Sequence, residues 1–392
     1  MANTLGYYNP YFYANEALIQ LYKALGMASR VHLGYDAERR SFNKGEYVNI
    51  RRPGTFAVTD VNTATGGTTA DITPESVQVQ LSNWKEVKFT LSDKELSFTS
   101  ERIIEEHIRP AAYALADTID QALTALYIYV PHRTSVATST AVAATDLTTV
   151  YKTMFNQNVN MNDIDMLNFM VDGIATKDLL DATAFTSWSV AGGEATQNLL
   201  RGNLGQRYGF NFFSNQNVKT NTKGTCADQA GAIDHPTAGT YAIGTEMIHV
   251  DAMTDGGTWE AGHTFLITGD TQPYTTTAAV TFTGTEADVY ISPPLKVAAA
   301  DGAVVTGGTL ITGVENMAFH RDAFALVTAP LSTIGNGLGA QIASVTDPVT
   351  GLSLRSRIWY EGTYSSVRVG LDVLYGVKCL QPNLACRMTN IA

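Results

Sequence analysis

The residues best suited to chemistry are a short triplet, a glycine run, the histidines and the cysteines. His320-Arg321-Asp322 spells the catalytic-loop triplet in which an Asp accepts a substrate hydroxyl proton during phosphoryl transfer. That chemistry also needs an Asn five residues after the Asp, a glycine-rich nucleotide loop, a VAIK-type Lys and a DFG. Val327 stands where the Asn is required, and the other parts are missing. The triplet reads instead as a charged turn between two apolar segments. Gly335-Asn336-Gly337-Leu338-Gly339-Ala340 fits the GxGxxA spacing that lets a backbone approach a pyrophosphate. It lacks the strand before it and the helix after it, and Pro348 cuts the continuation short, so a loop is the better reading.

The seven histidines, His32, His107, His132, His235, His249, His263 and His320, are scattered, and no pair has HExxH spacing. Cys379 and Cys386 lie seven residues apart without a nearby His, and Cys226 stands alone. Such spacing does not build a zinc site or a disulfide framework, and a reducing compartment is the simpler expectation. Glu105-Glu106 and His107 fall on a helical stretch and read as a solvated or interface face, and no local pattern pairs carboxylates for hydrolysis. The expectation is a protein that is not an enzyme and that uses no cofactor and no metal.

The bulk of the chain agrees with that expectation. It has 392 residues, 45% of them hydrophobic and 16% charged. That is enough apolar material for a large core and roughly two to three domains. Net charge is -11, with a pI of about 5.1. A generic nucleic-acid binder shows a basic face or a pI above about 9, so this chain would enclose nucleic acid rather than grip it. No signal-like leader follows Met1, and no apolar run approaches the roughly 18 residues of a membrane helix, so a soluble protein made in a cytoplasm is expected.

The elements that would position these residues follow from periodicity. An aromatic segment, Tyr7, Tyr8, Tyr11, Phe12 and Tyr13, precedes an amphipathic helix bearing Ala17, Leu18, Leu21, Tyr22 and Leu25, with Gly26 placed to end it. From Tyr47 the period becomes two: Val48 and Ile50, then Val77, Val79 and Leu81, then Val87, Phe89 and Leu91, about a turn-rich tip at 63–69. Arms of this length would reach on the order of 35 Å. A lone hairpin is marginally stable in water, so this one must lie on its own domain or on a neighbour. The basic doublets Arg39-Arg40 and Arg51-Arg52 flank its start, either as solvated surface or as ion-pair partners for an acidic neighbouring subunit, and Trp84 is a further interface candidate.

Ile103, Ile104, Ile108, Ala111, Leu115, Ile119, Leu123 and Leu126 then trace a helix, with Asp117, Asp120 and Gln121 off its apolar stripe. About 30 residues would span some 45 Å, and Pro110 implies a kink or a second start. A helix capped by Thr145 or Asp146 carries Leu147, Val150, Tyr151, Met154 and Phe155. Residues 161–170 are strand-like or helical, and 177–182 form a short helix. Residues 219–313 turn rich in Thr, Gly, Ala and Asp, with short β runs at 264–267, 280–282, 289–291 and 295–297. These read as a small barrel or sandwich inserted into another domain. Val367 to Tyr375 is strand again, closed by Pro382.

This order resembles the major capsid proteins of tailed phages with the Hong Kong 97-type fold, most of all coat proteins of the Salmonella podovirus type, which carry an inserted β-barrel. The stretches that carry the resemblance are Asn316 to Val327, Gly351 to Arg355, Val367 to Val377, Arg109-Pro110-Ala111 with Leu115-Ala116 and Ile119-Asp120, and Gly205 with Gly209-Phe210. The resemblance implies an α+β fold with an N-arm (1–32), an E-loop (33–94), a spine helix of the peripheral domain (95–130), an axial domain (131–217 and 314–352), an inserted β-barrel (218–313) and peripheral C-terminal strands (353–392). It implies self-assembly into the pentamers and hexamers of an icosahedral shell, with scaffolding protein and portal as partners. It also implies enclosure of double-stranded DNA without sequence-specific binding, no membrane, and a place in the virion after assembly in the host bacterial cytoplasm. The implied subunit-interface residues are the aromatic and basic ones named above. Some related shells crosslink through an E-loop Lys, but none lies between Lys44 and Lys85, so non-covalent shells are expected. A phage tail or surface adhesion protein, which the Thr- and Gly-rich segment suits, is the alternative reading of the chain, and a nucleotide-linked enzyme resting on Gly335 to Ala340 is a weaker one.

Overall fold

The computed structural model describes residues 10–33, 47–52, 75–92, 107–136, 141–182, 185, 202, 204–226, 229–308, 312–333, 339–347 and 351–390. The chain forms two compact units. One comprises Met1–Ala24, His32–Ala116 and Ala325–Lys378, and the other Leu25–Val31, Asp117–Phe324 and Cys379–Ala392.

The first unit is built on a five-stranded sheet. Its path runs Phe324–Ala329, Ser366–Cys379, Ser353–Glu361, Ala340–Thr346, and Asn83–Ser92 also pairs with Ser366–Cys379. Thus the third apolar run, Val87, Phe89 and Leu91, is no part of the hairpin but joins the C-terminal strand, with Val87 opposite Leu371 and Leu91 opposite Val367. The hairpin itself is Tyr47–Arg52 with Glu75–Gln80, in the register Tyr47 to Gln80 through Arg52 to Glu75. Val48, Ile50, Val79 and Leu81 are buried, while Tyr47, Asn49, Gln78 and Gln80 are exposed. Its base reaches the sheet at Gly376, where a Cβ would collide with the Gln80 carbonyl, so only glycine admits that approach. The tip at 63–69 lies outside the described residues.

The first helix is Pro10–Ala24, and it packs on Ala340–Thr346 and Ser353–Glu361. It starts inside the aromatic segment, not after it. Tyr13, Ala14, Ala17, Leu18 and Leu21 face inward at i, i+1, i+4, i+5 and i+8 spacing. The next α-helix is Arg109–Thr124, followed by a 3-10 turn, Ala125–Tyr129. Residues 107–108 form a π-helical lead into the helix, and Pro110 stands in its first turn, a position that proline suits. Ile103 and Ile104 lie outside the described residues. Asp120, although off the apolar stripe, is buried. It accepts the amides of Gly26 at 2.6 Å and Ala28 at 3.0 Å, which explains how a carboxylate is tolerated there.

The second unit holds a seven-stranded sheet in the order Arg133–Ser135, Ala385–Asn390, Gly313–His320, Leu167–Val171, Phe210–Ser214, Gln206–Arg207, with Thr220–Asn221 paired to the start of Gly313–His320. Pro382 does end one run, but the chain then re-enters as the strand Ala385–Asn390 beside Gly313–His320. Residues 164–166 are a 3-10 turn and Leu167–Val171 a fully buried strand. The helix Ala144–Asn156 is capped at Ala143, not at Thr145 or Asp146; Asp146 reaches back to accept the Ala143 amide at 2.8 Å. Leu147, Val150 and Met154 are buried, but Phe155 is exposed. The helix placed at 177–182 runs earlier, Gly173–Asp181, because the Asp172 carboxylate caps the amides of Ile174 and Ala175.

The inserted segment is a closed antiparallel barrel of Met247–Asp251, Ala287–Ser292, Tyr274–Thr276, Thr264–Ile267, Val304–Gly307 and Ala230–Ile233. Alternation sets its lining: Ile248 and Val250, then Val289 and Ile291, point inward around Trp259, Phe265, Tyr274 and Phe282. Gly269, at φ +94°, turns the chain between two of these strands in a region only glycine enters without strain. Residues 295–297 are not the expected strand, although Leu295 fills the core. The barrel leaves and rejoins the larger sheet at one point, since Asn221 pairs with Gly313 and Thr220 with Val314. The fold is therefore α+β with an inserted all-β domain, in the element order that the Hong Kong 97-type resemblance implies.

Candidate functional site

The interface candidates distribute as follows. Tyr11 and Phe12 are exposed on the first helix at 59% and 53%, whereas Tyr13 is buried beneath it. Tyr7, Tyr8, Arg39 and Arg40 lie outside the described residues. Arg51 and Arg52 sit on the hairpin opposite Ser76 and Glu75. Trp84 is exposed, and its indole Nε1 donates to Asp372 Oδ2 at 3.1 Å.

That bond ties Trp84 to a polar centre the sequence did not announce. Asp372 is fully buried and lies between two arginines. Arg355 grips it with two N–H groups, Nε at 3.0 Å and Nη2, and gives Nη1 to the Ser332 carbonyl at 2.8 Å. Arg357 Nη2 lies 3.6 Å from Asp372 and also pairs with Glu86, which in turn holds Lys88 at 2.7 Å. Bidentate geometry makes the Arg355 pair directional as well as strong.

The second unit has a counterpart. Glu315 is buried, accepts the Thr389 hydroxyl at 2.7 Å, and lies 3.4 Å from Arg133 Nε and 3.9 Å from Arg387 Nη1. Arg387 is itself fully buried, donates to the Gly262 carbonyl of the inserted domain at 3.0 Å, and stacks over the Tyr127 ring at 5.7 Å. Burial pulls both guanidinium pKa values down and Glu315 pushes them back up. Thr275 and Ser292 of the barrel donate to the carbonyls of Ile128 and Tyr129 at 2.8 and 3.3 Å. The inserted domain is thus fastened to its own unit by buried and partly buried polar bonds.

Beside that centre, His132 is buried and donates toward Asn383 Oδ1 at 3.3 Å. Burial drives its pKa down to about 4, with the Asn383 bond opposing. The unfolded chain therefore takes up a proton near pH 6.5 that the folded chain refuses until about pH 4. The associated stability is full above pH 6.5 and is lost as pH falls through that window, by up to about 3 kcal/mol. Unfolding titrations at pH 7, 5.5 and 4.5 should show this loss, and His132→Gln should flatten it. An unchanged slope in the variant would assign the pH dependence elsewhere.

The motif fragments take structural roles. His320 ends a strand and its Nδ1 accepts the Asp322 amide at 3.3 Å, capping the 3-10 turn Arg321–Ala323. Ala340–Thr346, after the glycine run, is a strand rather than a helix. Cys226, Cys379 and Cys386 are buried, and burial pushes the Cys386 thiol up to about 12. The structure also groups His249 with Asp234, Glu286 and Asp288 on the barrel wall, although 54 residues separate the first from the last (288 − 234). No helix among the described residues is long and apolar enough to cross a membrane.

Neither a family model nor a curated protein matches the sequence. Among solved structures the chain is similar to one from Mycobacterium phage Che8, at 15% identity over 93% of this chain and 90% of that one, with a TM-score of 0.48. It is also similar to the capsid structure of cyanophage P-SCSP1u, at 11% identity over 89% and 84% with a TM-score of 0.49. A third likeness is to the mature capsid of bacteriophage PhiM1, at 9% identity over 89% and 83% with a TM-score of 0.45.

Proposed function

We propose that this chain is the major capsid protein of a tailed phage, a repeated block that assembles through pentamers and hexamers into an icosahedral shell around double-stranded DNA. The observation that carries the reading is the element order: a two-stranded hairpin, a long helix, and two sheets built from distant parts of the chain, one of them hosting a barrel inserted at a single strand pair. Exposed apolar side chains on both units support it. Tyr11, Phe12 and Tyr360 in the first, and Phe155, Ile174 and Tyr208 in the second, offer surface for neighbours. Net charge of -11 suits a wall that contains DNA without binding it by sequence.

Under this reading the segments 1–32, 33–94, 95–130, 131–217 with 314–352, 218–313 and 353–392 take the arm, loop, spine, axial, inserted and peripheral roles. A scaffolding protein and a portal are its partners, and the virion is its destination after assembly in the bacterial cytoplasm. Weak contacts repeated under closed symmetry hold the particle. The shell is non-covalent, because no lysine lies between Lys44 and Lys85. Rate-zonal sedimentation of the chain co-expressed with a phage scaffolding protein should give fast particles that fall to single chains in boiling SDS. A covalent ladder would overturn the non-covalent bond, and a monomer that never sediments would overturn the capsid reading.

A further inference from the structure

The outer wall of the barrel carries a side-chain group with no part in the packing above. His249 lies mid-strand in Met247–Asp251 and faces outward, since its neighbours Ile248 and Val250 face the core. Asp288 is its cross-strand partner, and Glu286 precedes that strand. Asp234 follows the strand on the other side, so three neighbouring strands contribute.

We propose that Asp234, His249 and Glu286 form a binding site for a first-row divalent transition cation of the zinc type, with Asp288 holding the imidazole in place. The separations are the first argument. His249 Nε2 lies 3.6 Å from Glu286 Oε2 and 3.8 Å from Asp234 Oδ2. Both exceed hydrogen-bond range. Donors about 2.1 Å from one shared ion stand roughly 3–3.5 Å apart, so a small closure would seat a cation. The three donor atoms lie within 4.8 Å of one another.

The second argument is the orientation of the ring. Its other nitrogen, Nδ1, is 2.8 Å from Asp288 Oδ1. A metal-binding imidazole commonly gives its second N–H to a carboxylate in this manner, which leaves Nε2 with its lone pair toward the ion. The third argument is rigidity. The Asp234 amide donates to the His249 carbonyl at 3.0 Å, and the Tyr241 hydroxyl accepts the His249 amide and donates to the Asp234 carbonyl, both at 3.2 Å. Two of the three ligands are therefore held at fixed spacing by bonds outside the cluster. An imidazole with two carboxylates selects zinc-like ions over magnesium or calcium, which prefer all-oxygen sites. The site stands on the barrel alone and holds whether or not the chain builds shells.

The test is isothermal titration of zinc chloride into the purified full-length chain after chelator treatment, alongside His249→Ala, Glu286→Gln, Asp288→Asn and the control His235→Ala. One zinc per chain is expected, with a melting temperature raised by zinc. Affinity should be lost in His249→Ala, fall at least tenfold in Glu286→Gln, fall roughly 10–100-fold in Asp288→Asn, and stay unchanged in His235→Ala. Glu286 is exposed at the edge of a turn, so its variant decides the matter if His249→Ala misfolds. Absence of saturable uptake, or equal uptake by the parent chain and Glu286→Gln, would overturn the site and leave His249 as a solvated ion pair.

Discussion

Glu315→Ala is expected to lower the local unfolding free energy of the barrel-bearing unit by about 3–5 kcal/mol. Glu315 is set between Arg133 and Arg387, and all three side chains are buried. Removing it takes this countercharge from two guanidinium groups in a region where burial already disfavours their charge. It also takes the acceptor from the Thr389 hydroxyl. Hydrogen exchange of the strands Gly313–His320 and Ala385–Asn390 reads the loss where it occurs, because their amides open together. Adding Arg387→Met should recover part of it, since the second change removes one of the two buried charges, and a coupling of about 0.5–3 kcal/mol is expected for groups in contact. A loss below about 1 kcal/mol in the single variant would show that water reaches these charges.

Asp372→Ala is the corresponding change in the other unit, and its expected cost is also about 3–5 kcal/mol. Asp372 accepts hydrogen bonds from Arg355 and the Trp84 indole and lies 3.6 Å from the Arg357 guanidinium. Protection should fall in Ser353–Glu361 and Ser366–Cys379. Asp372→Asn keeps one acceptor oxygen and should cost less. Trp84→Phe should cost under about 1 kcal/mol, because the ring is 58% exposed and gives up only one bond. If Trp84→Phe proved as costly as Asp372→Ala, the centre would be held by the indole instead of the charges.

These two centres also mark where sequence reading succeeds and fails. Strands with one face in the core were legible, because their alternation survives in the chain: Val48 and Ile50, Val79 and Leu81, Val289 and Ile291. The inserted domain was legible for the same reason, helped by its turn glycines. Ala385–Asn390 was not, since all six residues are buried and half are polar. Its Arg387, Thr389 and Asn390 are tolerated because Glu315 and Asn316 meet them from the neighbouring strand and Gly262 and Arg133 from outside it. The burial of Asp120 was not legible for the same reason, its partners Gly26 and Ala28 lying more than ninety residues away. Phe155 sat on the apolar stripe of its helix yet faces outward, because Leu147, Val150 and Met154 already fill the inner face. The cation cluster was hidden by distance as well: His249 meets Asp288 only through strand register.

Electron microscopy of the full chain, purified after co-expression with a phage scaffolding protein, tests the central claim most directly. Closed icosahedral shells are expected, with pentamers and hexamers of a subunit whose density contains the six-stranded barrel. A uniform monomer or small oligomer under the same conditions would contradict the capsid reading and point to the adhesion alternative.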